Sequence, residues 1–271
     1  MDKLEKLIEL NGMLVDDQPQ YRKEAGRFPE DVSSQRRLMR SLMNVRYPRM
    51  IPRELLRRQD EYLSAEREEK GVIHISRLPA CKKDERLILW QGDITRLDAD
   101  AIVNAANSQM LGCFVPCHGC IDNILGSKAG IELRLFTNDI ITRQGYPEPT
   151  GQAKITPGFN LPSKYIIHTV GPIVQGRLTK ENERMLASCY RSILELADQN
   201  DIKTLALCCI STGVFMFPNQ RAAEIAVETV RKYLEETGSQ IKVIFNVFKD
   251  IDLMLYRYYL GEADKVFRTA S

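Results

Sequence analysis

The sequence predicts an α/β protein with a mixed or parallel sheet, preceded by a helical segment. Beyond residue 70, short apolar runs rich in strand-forming residues alternate with longer amphipathic stretches. Before that point, apolar residues recur mainly at helical spacing. The 271 residues, 44% hydrophobic and 27% charged, are enough to build a globular core. We therefore expect a helical extension over residues 1–74 and an α/β domain over residues 75–271.

The helical segment is indicated by apolar residues spaced three or four apart. Leu38 and Leu42 lie on one such stripe, and residues 55–63 carry another. Pro48 and Pro52 stand between the two stripes, and proline does not fit inside a helix because it lacks an N–H donor. The pattern predicts short helices separated by a proline-containing turn.

Five apolar runs of the second part predict strands, at residues 87–91, 101–104, 165–170, 204–210 and 242–248. Two long amphipathic stripes predict helices over residues 183–200 and 219–237. Strands separated by helices of this length are typical of crossover connections in a sheet with parallel strands.

Charge and hydropathy exclude several classes of function. The chain has 38 basic and 36 acidic residues, so its formal charge of +2 argues against a general nucleic-acid binder. No apolar run approaches the ~18 residues of a membrane span, and the opening MDKLEKLIEL does not resemble a signal peptide. The seven cysteines are an odd number and are unevenly spaced, which favours reduced thiols or metal ligands over a disulfide framework. We expect a cytoplasmic protein that binds neither nucleic acid nor a membrane.

Arginine is concentrated in the helical segment. Eight arginines lie between residues 36 and 58, against the single acid Glu54. Two readings are open: the arginines face an acidic protein partner, or they form a solvated helix face.

Polar loops follow the predicted strands at QGDIT, VNAANS, HTVGP and CISTGVF. Strand ends of an α/β sheet are where ligands commonly bind. In the last loop, Ser211, Thr212 and Gly213 precede a predicted helix, so their backbone N–H groups could surround a phosphate. Taken alone, each such loop is explained equally well as a turn of small residues.

Residues 112–123, GCFVPCHGCIDN, place three cysteines and one of the chain's three histidines close together. Thiolate and imidazole are the donors that Zn²⁺ prefers. If Cys117 joined Cys113, His118 and Cys120, the site would be a closed structural zinc centre. Three ligands would instead leave the open position that a catalytic ion needs. A redox-sensing cysteine cluster without metal is a third reading.

Taken together, these segments resemble the macrodomain, an ADP-ribose-binding module with a three-layer α/β/α fold and a mixed central sheet. The resemblance rests on WQGDIT at 90–95, VNAANSQMLG at 103–112, the segment 150–172, STGVFMFP at 211–218 and VIFNVF at 243–248. It implies that Asp93, beside Ile94, accepts a hydrogen bond from the adenine amino group and that Asn107 faces the distal ribose. It also implies that Ser211, Thr212, Gly213, Val214 and Phe215 wrap the diphosphate. An N-cap or turn role is the alternative for Asp93.

Where common hydrolytic macrodomains have a glycine-rich run, this chain has CFVPCHGC followed by Ile-Asp-Asn. The departure resembles the zinc-dependent macrodomains of bacteria and fungi. That resemblance implies Cys113, His118 and Cys120 as ligands of Zn²⁺ and gives Cys117 no role. Asp122, Asn107 and Asn123 are the candidate catalytic residues. For Asp122, a supporting role at the start of a helix near Asn123 is the alternative.

The resemblance therefore implies a zinc-dependent hydrolase that removes mono-ADP-ribose from acidic side chains of proteins and releases ADP-ribose. The family association with sirtuin-type ADP-ribosyltransferases makes a lipoyl-carrier protein resembling glycine cleavage H the expected substrate. The alternatives are a non-catalytic ADP-ribose reader with a structural zinc, and a deacetylase or phosphatase acting on ADP-ribose derivatives.

Overall fold

A computed structural model describes residues 2–263. Its helices are α1 (Lys3–Asp17), α2 (Arg22–Ala25), α3 (Val32–Val45), α4 (Arg53–Lys70), α5 (Ile121–Ala129), α6 (Ile131–Gln144), α7 (Lys180–Gln199), α8 (Asn219–Thr237) and α9 (Asp250–Leu260). Its strands are β1 (Ala80–Cys81), β2 (Asp84–Gln91), β3 (Ala101–Ala105), β4 (Ala153–Pro157), β5 (Tyr165–Thr169), β6 (Thr204–Leu207) and β7 (Lys242–Val247). None of these helices is both long and apolar enough to cross a membrane.

The chain divides into two compact units that are not continuous in sequence. The first contains the residues up to Gly71 together with 109–147 and 159–161. The second contains 72–108, 148–158 and the residues from Pro162 onward. The helices α1 to α6 belong to the first unit, and all strands belong to the second. The domain boundary between residues 74 and 75 stays a prediction.

The first unit is held together by an apolar core of leucine and methionine side chains. Leu7, Leu10 and Leu14 of α1 pack with residues of α3 and α4, and Ile131 of α6 joins the same cluster. A fully buried side chain of this size contributes roughly 1.5–3 kcal/mol. The helix ends are also specified locally, because Asp2 and Asp31 accept backbone N–H bonds as the N-caps of α1 and α3.

The second unit is built on a seven-stranded sheet in the order β1-β2-β7-β6-β3-β5-β4. The neighbouring strands β2, β7, β6, β3 and β5 are parallel, whereas the edge strands β1 and β4 are antiparallel to their neighbours. The central strands are apolar on consecutive residues because both faces are covered, as in Ala101, Ile102 and Val103 of β3. This confirms the predicted α/β class with a mixed sheet, preceded by helices.

The sequence analysis differs from the structure at several element ends. Strand β6 ends at Leu207 instead of residue 210, since the chain leaves the sheet before Ser211, whose φ is +65°. The periodicity did not predict β1 or β4; β1 has two residues, and β4 is an edge strand ending at Pro157. Nor did it predict α1, α2, α6 or α9. The sequence placed the start of α5 near Asn123, whereas the helix begins at Ile121. The predicted stripes of α7 and α8 are confirmed, with Leu186, Tyr190, Ile225 and Val230 all buried.

Candidate functional site

The loop before α5, in the first compact unit, brings three soft donor groups together. The candidate ligand atoms of Cys113, His118 and Cys120 all lie within 4.8 Å of one another, and each residue is half-buried. The Cys113 Sγ and His118 Nδ1 atoms are 3.7 Å apart. A tetrahedral zinc ion would separate a thiolate sulfur and an imidazole nitrogen by roughly 3.5 Å, given its usual bond lengths. The donor set and its spacing therefore fit zinc.

Cys117 is not part of this group. Its Sγ lies 3.3 Å from Ser41 Oγ and 3.5 Å from the carbonyl oxygen of Arg37, both on α3. Its backbone φ of +53° accompanies this orientation, which differs from that of the neighbouring His118. The arrangement favours three protein ligands and an open fourth position.

The Cys120 thiol is not ionised by its surroundings alone. Burial, assisted by repulsion from the neighbouring Cys113, raises the pKa of the Cys120 thiol to about 11. A bound cation has the opposite effect, because a thiol that coordinates a metal is deprotonated. Binding of a divalent metal here would accordingly release protons.

Asp122 and Asn123 follow the loop in the first turn of α5. This helix begins at Ile121, with Cys120 as its N-cap, so it starts earlier than the sequence suggested. Asp122 is half-buried, whereas Asn123 is 1% exposed. The Asn123 side-chain amide donates to the carbonyls of Cys113 and Val115, at 3.3 and 2.8 Å. These bonds hold the loop backbone, and the catalytic roles of both residues stay predictions.

In the second unit, Asp93 follows the carboxyl end of β2. Its Oδ1 accepts hydrogen bonds from the backbone N–H of Thr95 at 3.0 Å and from the Thr95 hydroxyl at 2.7 Å. Asp93 is thus the N-cap of the 3₁₀ turn Ile94–Arg96. Within residues 2–263, the structure gives its Oδ2 no partner. The carboxylate can cap the turn and still accept a hydrogen bond from a ligand, so the two readings are compatible. Ile94 is buried beside it.

The loop after β6 exposes a run of backbone N–H groups. Met216 and Phe217 donate back to the carbonyls of Gly213 and Ser211, at 3.1 and 3.0 Å, which closes the loop on itself. In the described part of the chain, the N–H groups of Thr212–Phe215 donate to no other backbone carbonyl. Gly213 and Val214 are exposed, and Phe215 is half-buried. Free N–H groups in a tight loop form an anion-binding concavity.

Asn107 lies two residues beyond the end of β3 and is half-buried. Strands β2, β3 and β6 are parallel members of one sheet. The residues that follow them therefore lie at the same end of the sheet, where the carboxyl ends of these strands are. The structure therefore places Asp93, Asn107 and the loop of Ser211–Phe215 at the carboxyl end of the parallel strands of the second unit. Ligands of parallel sheets bind at this end.

Comparison with known proteins decides the family. A family profile described as Macro domain matches residues 103–226. A protein-ADP-ribose hydrolase from Treponema medium is 47% identical over 258 residues, which cover 94% of this chain and 98% of that protein. The chain belongs to the macrodomain family.

Further similarities agree with the macrodomain assignment. A protein-ADP-ribose hydrolase from Staphylococcus aureus (strain MSSA476) is 52% identical over 223 residues, which cover 81% of this chain and 82% of that protein. The Trypanosoma brucei macrodomain, solved in complex with ADP-ribose, matches with a TM-score of 0.63 and 30% identity. The match covers 82% of this chain and 95% of the Trypanosoma brucei chain.

The loop of residues 112–120 is here named the metal loop, after its three candidate ligands. Several residues that shape it have no signal in the sequence. The guanidinium of Arg134 on α6 donates to the carbonyls of Leu111 and Cys113 and lies 4.1 Å from the ring centre of Phe114. Arg40 and Asn44 of α3 also contact the loop. These hydrogen bonds join residues 21 to 78 positions apart, so no local spacing could have identified the donors and acceptors.

Proposed function

We propose that this macrodomain is a zinc-dependent hydrolase that removes mono-ADP-ribose from acidic side chains of proteins. The observation that carries the proposal is the convergence of Cys113, His118 and Cys120 in a chain of this family. The relatives named protein-ADP-ribose hydrolase, which align over most of this chain, support the reaction class.

The reaction is the hydrolysis of the bond between the ribose anomeric carbon and a carboxylate oxygen of the modified side chain. Water supplies a hydroxyl group to one side and a proton to the other, which gives ADP-ribose and a free carboxyl group. Asp93 would hold the adenine amino group, and the N–H groups of Thr212–Phe215 would hold the diphosphate. Ile94 would lie beside the adenine, and Asn107 would face the distal ribose.

Cys113, His118 and Cys120 would hold Zn²⁺. When bound, the ion supplies Lewis-acid stabilisation of negative charge on oxygen. Asp122 would take a proton from the attacking water, as a carboxylate suited to general-base work. Asn123 would keep the loop in place through its bonds to the carbonyls of Cys113 and Val115.

The partner proteins are part of the proposal. The substrate would be an ADP-ribosylated protein in the cytoplasm. A lipoyl-carrier protein resembling glycine cleavage H, modified by a sirtuin-type ADP-ribosyltransferase, is the candidate. The balanced net charge of +2 is consistent with a protein substrate and not a nucleic acid.

Metal analysis and an activity assay together test this function. We expect about one zinc per chain and release of ADP-ribose from an aspartyl- or glutamyl-modified protein, with loss of both after treatment with a strong chelator. Cys120→Ser should lose zinc and activity. Cys117→Ser is the matched control and should keep both, because the Cys117 thiol faces α3.

Two results would contradict the proposal. Zinc present at one equivalent without any release of ADP-ribose would indicate a reader with a structural metal. Release of ADP-ribose that is unaffected by the chelator or by Cys120→Ser would remove zinc from the reaction.

A further inference from the structure

Helix α3 contacts the metal loop along its last two turns. The contacting side chains, Arg40, Ser41 and Asn44, lie on one face of the helix at helical spacing. All belong to the same compact unit as the loop. These contacts can pack α3 against the loop, and they can also fix the positions of the candidate ligands Cys113, His118 and Cys120.

Arg40 is bound to the backbone of a candidate ligand. Its Nη2 donates to the carbonyl oxygen of His118 and to Asn123 Oδ1, both at 2.7 Å, and its Nε lies 3.2 Å from Ser127 Oγ. Charge-assisted bonds of this kind are about twice as strong as neutral ones. One guanidinium therefore ties His118 to the first turns of α5.

Asn44 binds the backbone on the other side of His118, at the N–H of Cys117. Its Oδ1 accepts the backbone N–H of Cys117 at 2.9 Å, and its Nδ2 donates to Ser127 Oγ at 3.0 Å. Asn44 is 3% exposed, so both bonds are shielded from water. The N–H of Cys117 and the carbonyl of His118 flank one ligand, and both are held by α3.

The loop has few hydrogen bonds of its own to define its shape. Within residues 113–120, the structure shows one backbone–backbone bond, from the N–H of His118 to the carbonyl of Val115 at 3.2 Å. The carbonyls of Cys113 and Val115 are held instead by Asn123, whose Oδ1 is held in turn by Arg40. The positions of the three ligands are therefore imposed from outside the loop.

We propose that Arg40 and Asn44 are positioning residues of the metal centre, which makes the helical segment before the α/β domain a part of that centre. This inference rests on the proposed function only in taking Cys113, His118 and Cys120 as a zinc site. A purely structural role would resemble that of Arg36 on the same helix, which pairs with Glu66 and, among residues 2–263, makes no hydrogen bond or ion pair with the loop.

The test compares zinc affinity in three variants, measured by competition with a chromogenic chelator. Removing groups that orient metal ligands typically lowers metal affinity about 10- to 100-fold. We expect a loss of this size for Arg40→Met and for Asn44→Leu. Arg37→Met is the matched control, because the Arg37 side chain is exposed and the variant keeps the backbone carbonyl near Cys117. It should bind zinc as the wild type does.

Cobalt substitution gives a spectroscopic readout that a merely structural role would not change. In the wild type and in Arg37→Met, the thiolate-to-cobalt charge-transfer and d–d bands should coincide, as expected for one ligand geometry. In Arg40→Met they should shift or weaken. Arg40→Lys keeps the charge and should restore part of the wild-type spectrum.

Hydrogen exchange on the metal-free proteins tests the same inference without zinc. Peptides covering residues 112–120 should exchange faster in Arg40→Met and Asn44→Leu than in the wild type, whereas peptides from β5 and β7 should be unchanged. The unchanged strands would show that the second compact unit is folded, and unchanged exchange of peptides from α1 would show the same of the first.

The outcomes distinguish failure of the zinc-dependent function from failure of the positioning role of Arg40 and Asn44. Wild-type protein that binds no zinc would overturn the zinc-dependent function, and unchanged exchange of residues 112–120 would then overturn the positioning role as well. Wild-type protein that binds zinc, with Arg40→Met and Asn44→Leu equal to it in affinity and cobalt spectrum, would overturn the positioning role alone.

Discussion

The two carboxylate oxygens of Asp93 are available for two separate roles, a cap and a proposed ligand contact. Oδ1 caps the 3₁₀ turn through Thr95, and Oδ2 has no partner within residues 2–263. Replacing the residue with alanine would remove the cap together with the ligand contact, and a lost cap alone costs roughly 0.5–2 kcal/mol of stability. An alanine variant would therefore not separate binding from folding.

Asp93→Asn separates the two roles at this residue. The asparagine Oδ1 can still accept from Thr95, but its amide N–H₂ would then oppose the adenine amino group, which is also a donor. We expect ADP-ribose affinity to fall by about 1–3 kcal/mol while the melting temperature stays near that of the wild type. Calorimetric titration checks this, and an unchanged affinity would show that the adenine is not bound at Asp93.

At the scale of elements, Arg134 of α6 connects the C-terminal end of α3 with the metal loop. Its guanidinium donates to the carbonyls of Asn44 and Arg46, at 2.8 and 2.6 Å, as well as to the loop. A cation at a helix C terminus satisfies carbonyls that have no partner within the helix and complements the helix dipole. Burial lowers the pKa of Arg134 to about 10, so the guanidinium remains charged at neutral pH.

Arg134→Met should reduce the free energy of unfolding by roughly 3 kcal/mol or more, because each buried carbonyl left without a donor costs about 1–3 kcal/mol. The matched control is Arg143→Met, in the exposed last turn of the same helix, which should change stability by less than about 0.5 kcal/mol. Denaturant unfolding of the two variants is the measurement. Equal stabilities would contradict the role of Arg134 as a connector.

The arginines of residues 36–58 form ion pairs that the sequence did not predict. Arg46 and Arg49 pair with Asp17, and Arg57 and Arg58 pair with Glu54. Arg40 binds the metal loop. Most of these arginines are therefore paired within the first compact unit. Arg37 and Arg53 are exposed and form no ion pair among the described residues.

At the scale of the whole molecule, His168 links folding stability to pH. It is 2% exposed on β5, between Asn104 and Thr156. Burial lowers its pKa to about 3, from 6.5. Below pH 6.5 the unfolded chain binds a proton that the folded chain does not bind until about pH 3. This contribution to stability is complete above pH 6.5 and is lost as the pH falls towards 3.

We expect the wild type to lose about 1.4 kcal/mol per pH unit through His168 well below pH 6.5. His168→Gln keeps a donor and an acceptor but does not titrate, so its free energy of unfolding should fall less steeply over the same range. Urea unfolding at pH 7, 6, 5 and 4 measures the difference. Parallel pH profiles for the two proteins would mean that His168 is protonated in the folded state.

The sequence by itself determined the α/β class, the apolar central strands, the stripes of α7 and α8 and the cluster of cysteines and histidine in residues 113–120. These features depend on spacing along the chain, which is visible in one dimension. Only the tertiary structure decided that Cys117 faces α3 and that Arg40, Asn44 and Arg134 hold the metal loop. A hydrogen bond depends on distance in space, and the bonds of Arg40 and Asn44 to the loop join residues 78 and 73 positions apart. Many side chains could satisfy the same loop backbone, so the sequence cannot specify which ones do.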